Sequence, residues 1–178
     1  MGMVTLGGGV FASNFVFVVD GGERAIIMDA FRGLQPKIHG EGMHFKLPFV
    51  QQVKRFEVRT QPFLSPTQTG TKDLQQVNIS LRFLFRPIEQ ALPTILNTIG
   101  TDYDKRILPS IGNEVLKAVV AHYNAEQLIS KREEVSNEIR RQLELRAKEF
   151  NIILDDVAIT DLQFSPEFAR AIEAKQVA

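Results

Sequence analysis

The clearest pattern in the chain is an alternation of apolar and polar residues between positions 77 and 86, which only Leu84 interrupts. Side chains of a β-strand point alternately to the two faces of a sheet, so the alternation predicts a long strand with one buried face. Pro87 has no N–H to donate to a neighbouring strand and is predicted to end it. The residues of the predicted buried face are Val77, Ile79, Leu81, Phe83 and Phe85.

Shorter apolar runs predict further strands. Residues 16–19 and 24–28 flank Asp20-Gly21-Gly22, whose glycines supply the positive φ of a tight turn, so a β-hairpin is predicted there. Turns are predicted at residues 31–33 and 40–42, and a strand at residues 53–60. Residues 61–70 contain Pro62, Pro66 and Gly70 and are expected to be a polar connection.

After Pro87 the apolar residues recur every three or four positions, which is the spacing of one face of a helix. This spacing predicts helices over residues 88–99, 104–122 and 130–150. Pro93 is expected to bend or restart the first helix, and Gly100 to end it. Asn124 is predicted to cap a short turn at residues 125–129. The segment Ser130-Lys131-Arg132-Glu133 has the spacing of a capping box and is predicted to open the third helix.

The chain then returns to a strand and ends in helix-forming residues. Residues 152–164 are predicted to form the last strand, with a bulge at Asp155-Asp156. Ser165 and Pro166 are predicted to be the cap and first residue of a final helix. No stop signal follows, so the sequence is expected to break off inside a long helix. The whole order predicts an α+β fold, with helices on a curved, mostly antiparallel sheet.

Composition excludes some functions and leaves the N-terminus as the unusual segment. Lys plus Arg and Asp plus Glu are 21 each, so no overall charge favours nucleic acid, and cysteine is absent. Residues 1–19 carry no charge. As a helix they would reach about 28 Å, close to the thickness of a bilayer core, but Gly7, Gly8 and Gly9 dilute the run. Residues 1–15 are predicted to be part of a membrane anchor; the alternative is an apolar strand of a soluble domain.

Candidate catalytic groups are weak. Asp155 and Asp156 are strand neighbours that point to opposite faces and cannot form a direct dyad. Thr69-Gly70-Thr71-Lys72 lacks the order and upstream glycine of a phosphate loop. Gly7-Gly8-Gly9 does not continue as a dinucleotide motif. We predict no catalytic, cofactor-binding or metal-ligating residue.

The remaining polar candidates are also interpreted as structural. His39, His44 and His122 have no spacing typical of metal ligands, and His44 is expected to be structural or interfacial. Arg140, Arg141 and Arg146 alternate with Glu138, Glu144 and Glu149, which indicates a solvated helix face with pairing along the helix. That pattern does not predict nucleic-acid binding.

Two segments favour contacts with other molecules. Residues 45–50 are apolar except for Lys46; they either enter the membrane interface, with the lysine extending to the headgroups, or close the core of the sheet. The charged helix at residues 130–150 and the unfinished helix after Pro166 are expected to mediate self-association into a ring. The alternative for the charged helix is an ordinary surface helix.

Several long blocks resemble one known family. TGTKDLQQVNISLRFLFRP, the blocks at residues 103–133 and 153–165, and EAKQVA at residues 173–178 resemble the prohibitins. The prohibitins have two sibling types, and different blocks here resemble each, so the type stays open. The resemblance implies an SPFH/band-7 domain over residues 16–165, preceded by the anchor and followed by the start of a coiled-coil helix at residues 166–178.

The resemblance also implies a function. Prohibitins are non-catalytic scaffolds of the mitochondrial inner membrane, with the body facing the intermembrane space. Alternating sibling subunits form a cage-like ring that restrains the membrane AAA protease, shields membrane proteins and organises lipids such as cardiolipin. The resemblance implies neither a cofactor nor nucleic acid as a partner. The alternatives are a stomatin- or bacterial-type regulator of a protease or channel in another membrane, and a soluble enzyme or binding domain.

Overall fold

The structure, a computed structural model, describes residues 14–177, which form eight strands and five α-helices. Most of the predicted anchor, including Gly7-Gly8-Gly9, lies outside these residues. The strands are β1 (Val16–Val19), β2 (Glu23–Asp29), β3 (Gly33–His39), β4 (Gly42–Phe45), β5 (Gln51–Glu57), β6 (Gln61–Gly70), β7 (Gln76–Pro87) and β8 (Ile152–Phe164). The helices are α1 (Leu92–Thr98), α2 (Tyr103–Val120), α3 (Ala125–Ser130), α4 (Arg132–Glu149) and α5 (Pro166–Val177).

The chain divides into two compact units, and the first contains described residues 14–59 and 86–103. Its strands form a three-stranded sheet in the order β3-β2-β5 and a two-stranded ribbon of β1 and β4. All three pairings are antiparallel. The ribbon contributes Phe17 and Val19 to a small core in which they meet Ala25 and Ile27 of β2.

The predicted hairpin between β1 and β2 is wrong in its pairing. Both strands and the turn exist: the Glu23 N–H donates to the Asp20 carbonyl over 3.1 Å, and Gly22 has a φ of 85°. However, both edges of β2 are already occupied, since Ala25 lies opposite His39 of β3 and opposite Arg55 of β5. β1 therefore pairs with β4.

The second unit contains described residues 60–85 and 104–177 and is organised around β7. This strand lies between β6 and β8, and its alternation is the predicted one, with Pro87 as its last residue. Helix α4 packs against β8 through one buried stripe. That stripe consists of Val135, Ile139, Leu143 and Ala147.

The predicted polar connection at residues 61–70 is wrong, because this segment is strand β6. Its buried positions are the polar residues Ser65, Thr67 and Thr69, and the only apolar residue on the same face is the half-buried Phe63, which lies opposite Phe83. The strand therefore lacks the apolar alternation by which a sequence pattern is recognised. The prolines at 62 and 66 are exposed and lie on the edge strand of the sheet, where a missing N–H costs least.

Two further expectations need correction. Ser130 is the last residue of α3, and Lys131 precedes α4 without a side-chain cap, so the predicted capping box does not form. The described strands also form three separate sheets rather than a single one. Two other residues predicted to end or begin a helix do so in the structure. Gly100 follows α1 with a φ of 118°, and the Phe168 N–H donates to Ser165 Oγ at the start of α5.

The predicted bulge in β8 agrees with its burial. Ile152 and Leu154 are buried before Asp155-Asp156, and Val157 is buried after them. The buried positions thus shift from even to odd numbers, as one extra residue in the strand requires.

The buried face of β7 leads to a stability prediction. Leu81 is fully buried, so Leu81→Ala is expected to lower the free energy of unfolding by about 2–5 kcal/mol. Leu145→Ala is the matched control, because Leu145 is 62% exposed and its loss is expected to change stability by less than about 0.5 kcal/mol. Urea unfolding measures both, and equal losses would contradict the assignment of the buried face.

Candidate membrane-contact surface

The ribbon of β1 and β4 has one face packed inward and one face exposed. Phe17 and Val19 point into the core, so the intervening Val18 points outward and is 53% exposed. Val18 lies opposite Met43, and Val16 lies opposite Phe45. Met43 and Phe45 are 72% and 79% exposed, although both are large and apolar.

The exposed apolar surface continues into the turn after β4. Leu47 and Phe49 are both exposed, and Phe49 at 93% is almost free of contacts. We call the set Val18, Met43, Phe45, Leu47 and Phe49 the apolar ribbon face.

The backbone of this turn is strained at Phe49. Its φ is 67°, a left-handed conformation that costs a side chain other than glycine about 1–2 kcal/mol. Hydrogen bonds hold the turn in place: Gln51 N–H donates to the Leu47 carbonyl, and Leu47 N–H donates to Gln51 Oε1 over 2.9 Å. The strained residue of this turn is therefore also the one whose aromatic ring is most exposed.

Asp29 at the end of β2 fixes this turn and a second one. Its Oδ2 accepts from Gln51 Nε2 over 3.2 Å, and its Oδ1 accepts from the backbone N–H groups of Phe31 and Arg32. The hydrogen bond from Phe31 is the largest cause that lowers the pKa of Asp29, followed by that from Gln51. Phe31 is itself 87% exposed, so one carboxylate organises two turns that each present a phenylalanine.

Lys46 stands between Phe45 and Leu47 in the chain, and by the alternation of the ribbon its half-buried side chain leaves the face opposite to that of Phe45. Its backbone N–H donates to the Phe15 carbonyl over 2.8 Å, which extends the pairing of the ribbon toward the N-terminus. A lysine among exposed apolar side chains can keep its ammonium in water while its stem lies along apolar surface. This combination is typical of a surface that rests in the headgroup region of a bilayer.

The structure rules out one of the two interpretations of residues 45–50. Phe45, Leu47 and Phe49 are exposed, so they do not close the core of the sheet. A contiguous apolar surface of this kind, fringed by polar residues, marks a place where a protein meets another protein or a membrane.

The other acidic and phosphate-loop candidates lie in structural contacts. Asp155 Oδ2 accepts from Thr60 Oγ1, whereas Asp156 pairs with Arg140. The segment 69–72 forms the end of β6 and its turn, where Lys72 N–H donates to the Tyr123 carbonyl. The structure therefore brings none of these groups together around a common space.

The histidines differ from expectation in one respect. His122 is exposed, but His39 and His44 lie together, with ring centroids 4.9 Å apart. Among residues 14–177, no group of three or more His, Cys, Asp or Glu side chains could hold a metal ion. Nor does any helix in this part of the chain combine the length and hydropathy that crossing a bilayer requires.

The arginines of α4 pair both along the helix, as predicted, and with neighbouring elements. Arg140 contacts Asp156 of β8, and Arg146 pairs with Glu114 of α2 as well as with Glu149. The bond to Glu114 is the largest cause that raises the pKa of Arg146. The helix therefore uses part of its charge to attach to its own unit, and Arg141 and Lys148 remain on its surface around an exposed Leu145.

Sequence reasoning missed Asp29 and the contact between His39 and His44. A single aspartate before a predicted turn is a weak signal for an Asx-type contact. The histidine contact depends on how β1 pairs with β4, which the local pattern did not predict.

Comparison with known proteins identifies one family. The family model described as SPFH domain / Band 7 family matches residues 17–178. The chain is 54% identical over 178 residues to "Prohibitin-2" of Saccharomyces cerevisiae, covering 99% of the chain and 57% of that protein. It is 53% identical over 166 residues to "Prohibitin-4, mitochondrial" of Arabidopsis thaliana, covering 93% and 60%.

A third relative gives the same result. Identity to "Prohibitin 1" of Drosophila melanogaster is 50% over 178 residues, covering 100% of the chain and 64% of that protein. The chain thus spans about three fifths of the length of these relatives.

The contacts of Asp29 predict the effect of removing its carboxylate. In Asp29→Ala, the amides of Phe31 and Arg32 lose their acceptor and are expected to exchange with solvent about tenfold faster at neutral pH. Asp161→Ala, which removes an exposed carboxylate of β8, is the control and should leave these rates unchanged.

The pH dependence has a defined sign. The pKa of Asp29 lies below its ordinary value of 3.8. The ionised carboxylate therefore stabilises the two turns fully above pH 3.8, and this stabilisation is lost as the pH falls through the lowered pKa. Unchanged exchange in Asp29→Ala at neutral pH would show that the carboxylate does not hold these turns.

Proposed function

This chain belongs to the SPFH domain / Band 7 family and is similar to the prohibitins over nearly its whole length, and on that premise we propose that it is a non-catalytic subunit of a membrane scaffold. The observation that carries the proposal is the apolar ribbon face. It begins in β1, within the first nineteen residues of the sequence, where no charge occurs before Asp20.

The membrane contact follows from the chemistry of this surface. The apolar ribbon face adds three aliphatic or thioether side chains and two phenylalanines to the uncharged N-terminal run. Each apolar side chain that moves from water into the bilayer interface makes the binding free energy of the protein to the membrane more favourable. In this proposal, residues 1–15 anchor the chain and the ribbon rests on the same membrane.

The membrane we propose is the mitochondrial inner membrane, with the body of the protein in the intermembrane space. Relatives named "Prohibitin-4, mitochondrial" and "Prohibitin-3, mitochondrial" support the organelle. An N-terminal anchor that runs directly into the first strand would keep the first unit at the bilayer surface.

The assembly we propose is a ring in which this chain alternates with a related sibling subunit. Relatives named "Prohibitin 1" at 49–50% identity and relatives named "Prohibitin-2" at 50–54% identity support a family of sibling chains. Contacts between side-by-side copies would use the surface of α4 around Leu145 and the helix that begins at Pro166. A repeated contact of this head-to-tail type closes into a ring when its rotation permits.

The mechanism is enclosure rather than bond making. A closed ring with its apolar surfaces on the bilayer would separate a patch of membrane, restrain the membrane AAA protease and shield unassembled membrane proteins. Lys46, next to Phe45 in the chain, would extend its long side chain around the ribbon to the headgroups, where a cation favours anionic lipids such as cardiolipin. No cofactor takes part in this proposal.

The assembly is tested by the composition and mass of the protein taken gently from its native membrane. We expect a large closed complex that contains a second, related chain, and resistance of this chain to extraction by alkaline carbonate. A monomer or small dimer under conditions that preserve other membrane complexes would overturn the ring. A large ring without mitochondrial origin would instead favour a stomatin- or bacterial-type regulator.

The membrane contact is tested by a fluorescent reporter, because the chain contains no tryptophan. Phe49→Trp in vesicles with brominated acyl chains is expected to be quenched by at least about half, since the apolar ribbon face would enter the interface. Leu74→Trp is the matched control. Leu74 is 87% exposed with a φ of 63°, close to the values of Phe49, but it belongs to the second unit.

The comparison of the two reporters is decisive. Quenching at position 49 and not at position 74 supports contact through the ribbon. Equal quenching, or none at either position in membrane-bound protein, would overturn it.

A further inference from the structure

Two histidines and a phenylalanine connect the ribbon to the sheet beneath it. His39 ends β3, His44 lies in β4, and Phe17 lies in β1. The Phe17 ring meets His39 edge-on at 5.8 Å between centroids and stacks on His44 at 5.4 Å. With the histidines 4.9 Å apart, the three rings form a closed triangle that joins both strands of the ribbon to the three-stranded sheet.

His39 is placed where a positive charge is unfavourable. Its side chain is 9% exposed, and its Nε2 atom is buried without a hydrogen-bond partner among the described residues. A protonated imidazole would donate from both nitrogens, so protonation would add a buried donor with no acceptor beside an aromatic ring.

His44 has a defined hydrogen bond that fixes its neutral form. Its Nε2 lies 2.7 Å from the Gly40 carbonyl, and because a carbonyl only accepts, we assign the proton of the neutral ring to Nε2. A second proton would enter at Nδ1 and place a charge about 5 Å from His39. A charge on His44 would therefore disfavour protonation of His39.

The charged groups around the triangle do not compensate for a charge on His39. Lys37, on the same strand, is a cation. On β2, Arg24 is next to Ala25, the residue that lies opposite His39. The nearby carboxylates of Glu89 and Glu41 lie 2.6 Å and 3.9 Å from the Arg24 guanidinium and so pair with that cation. Helix α1, which packs against β3, and strand β1 carry no titratable side chain.

We propose that the triangle of Phe17, His39 and His44 is a protonation-sensitive latch on the ribbon. With both rings neutral, the latch holds the ribbon against the β3-β2-β5 sheet. With a proton added, the ribbon loosens, and the apolar ribbon face loses its fixed position. The latch itself does not depend on the proposed function; only its consequence at a membrane does.

The direction of the pH effect follows from burial. Burial is the largest cause that lowers the pKa of His39, followed by the charges of His44 and Lys37. A histidine with a lowered pKa stabilises the closed state above its ordinary pKa of 6.5, and this stability is lost as the pH falls below that value. The window of the switch therefore lies just below neutral pH.

The latch is tested by amide exchange of the ribbon at pH 7.5 and 5.5, corrected for the intrinsic pH dependence of exchange. In the unaltered chain, the amides of β1 and β4 are expected to open several-fold more readily at pH 5.5, with a limit of about tenfold, because pH 5.5 lies one unit below the ordinary histidine pKa of 6.5. His39→Phe cannot take a proton and keeps an aromatic ring, so its ribbon should open equally at both pH values.

Two controls keep the test decisive. His122→Gln alters the exposed histidine of the second unit and should behave like the unaltered chain. His39→Gln removes the titratable group by a different side chain and should agree with His39→Phe. The imidazole NMR signal of His39 gives a direct titration as well, and the pKa of His39 should lie below its ordinary value of 6.5.

The outcomes separate the latch from the proposed function. Ribbon opening that persists in both His39 variants, or that is absent from the unaltered chain, overturns the latch. Ribbon opening that depends on pH in the unaltered chain and not in the His39 variants supports the latch. If the Phe49→Trp reporter also stays unquenched at both pH values, the latch stands while membrane contact is contradicted.

Discussion

The alternation of side chains along β1 and β4 determines both faces of the ribbon at once. If Phe17 and Val19 are to meet Ala25 and Ile27 in the core, then Val18 must point away from it. The same constraint in β4 places His44 inward and leaves Met43 and Phe45 exposed. The fold therefore cannot build the inner contacts of the ribbon without presenting an outer face, and this chain makes that outer face apolar.

A second constraint fixes the backbone of the turns beside the outer face through hydrogen bonds. Asp29 accepts hydrogen bonds from two turns, one of which holds Phe49 at a positive φ. Strained conformations persist only where the surrounding contacts determine them, and they concentrate at functional positions. A mobile loop with the same residues could hide its phenylalanines, whereas this turn holds Phe49 in the open. That difference supports a surface built for contact.

Local pattern predicted the elements whose burial is apolar and one-sided. β7 and the stripe of α4 have a single apolar face, so their period was visible in the sequence. β6 was missed because its buried face is Ser65, Thr67 and Thr69, and Thr67 Oγ1 finds its partner in Asn113 of α2. The pairing of β1 was missed because it depends on which edges of β2 are already occupied. The candidate surface was half predicted: residues 45–50 were recognised as unusual, but only the register of the ribbon shows which of them point outward.

We propose that the ribbon lies on the membrane as part of a closed ring. Cryo-electron imaging of the full-length protein in its native membrane tests it most directly, because it shows assembly and depth together. The account predicts a closed ring with a second, related subunit and with the apolar ribbon face within the headgroup layer. A ring whose ribbons stand clear of the bilayer, or a protein that forms no ring, would contradict it.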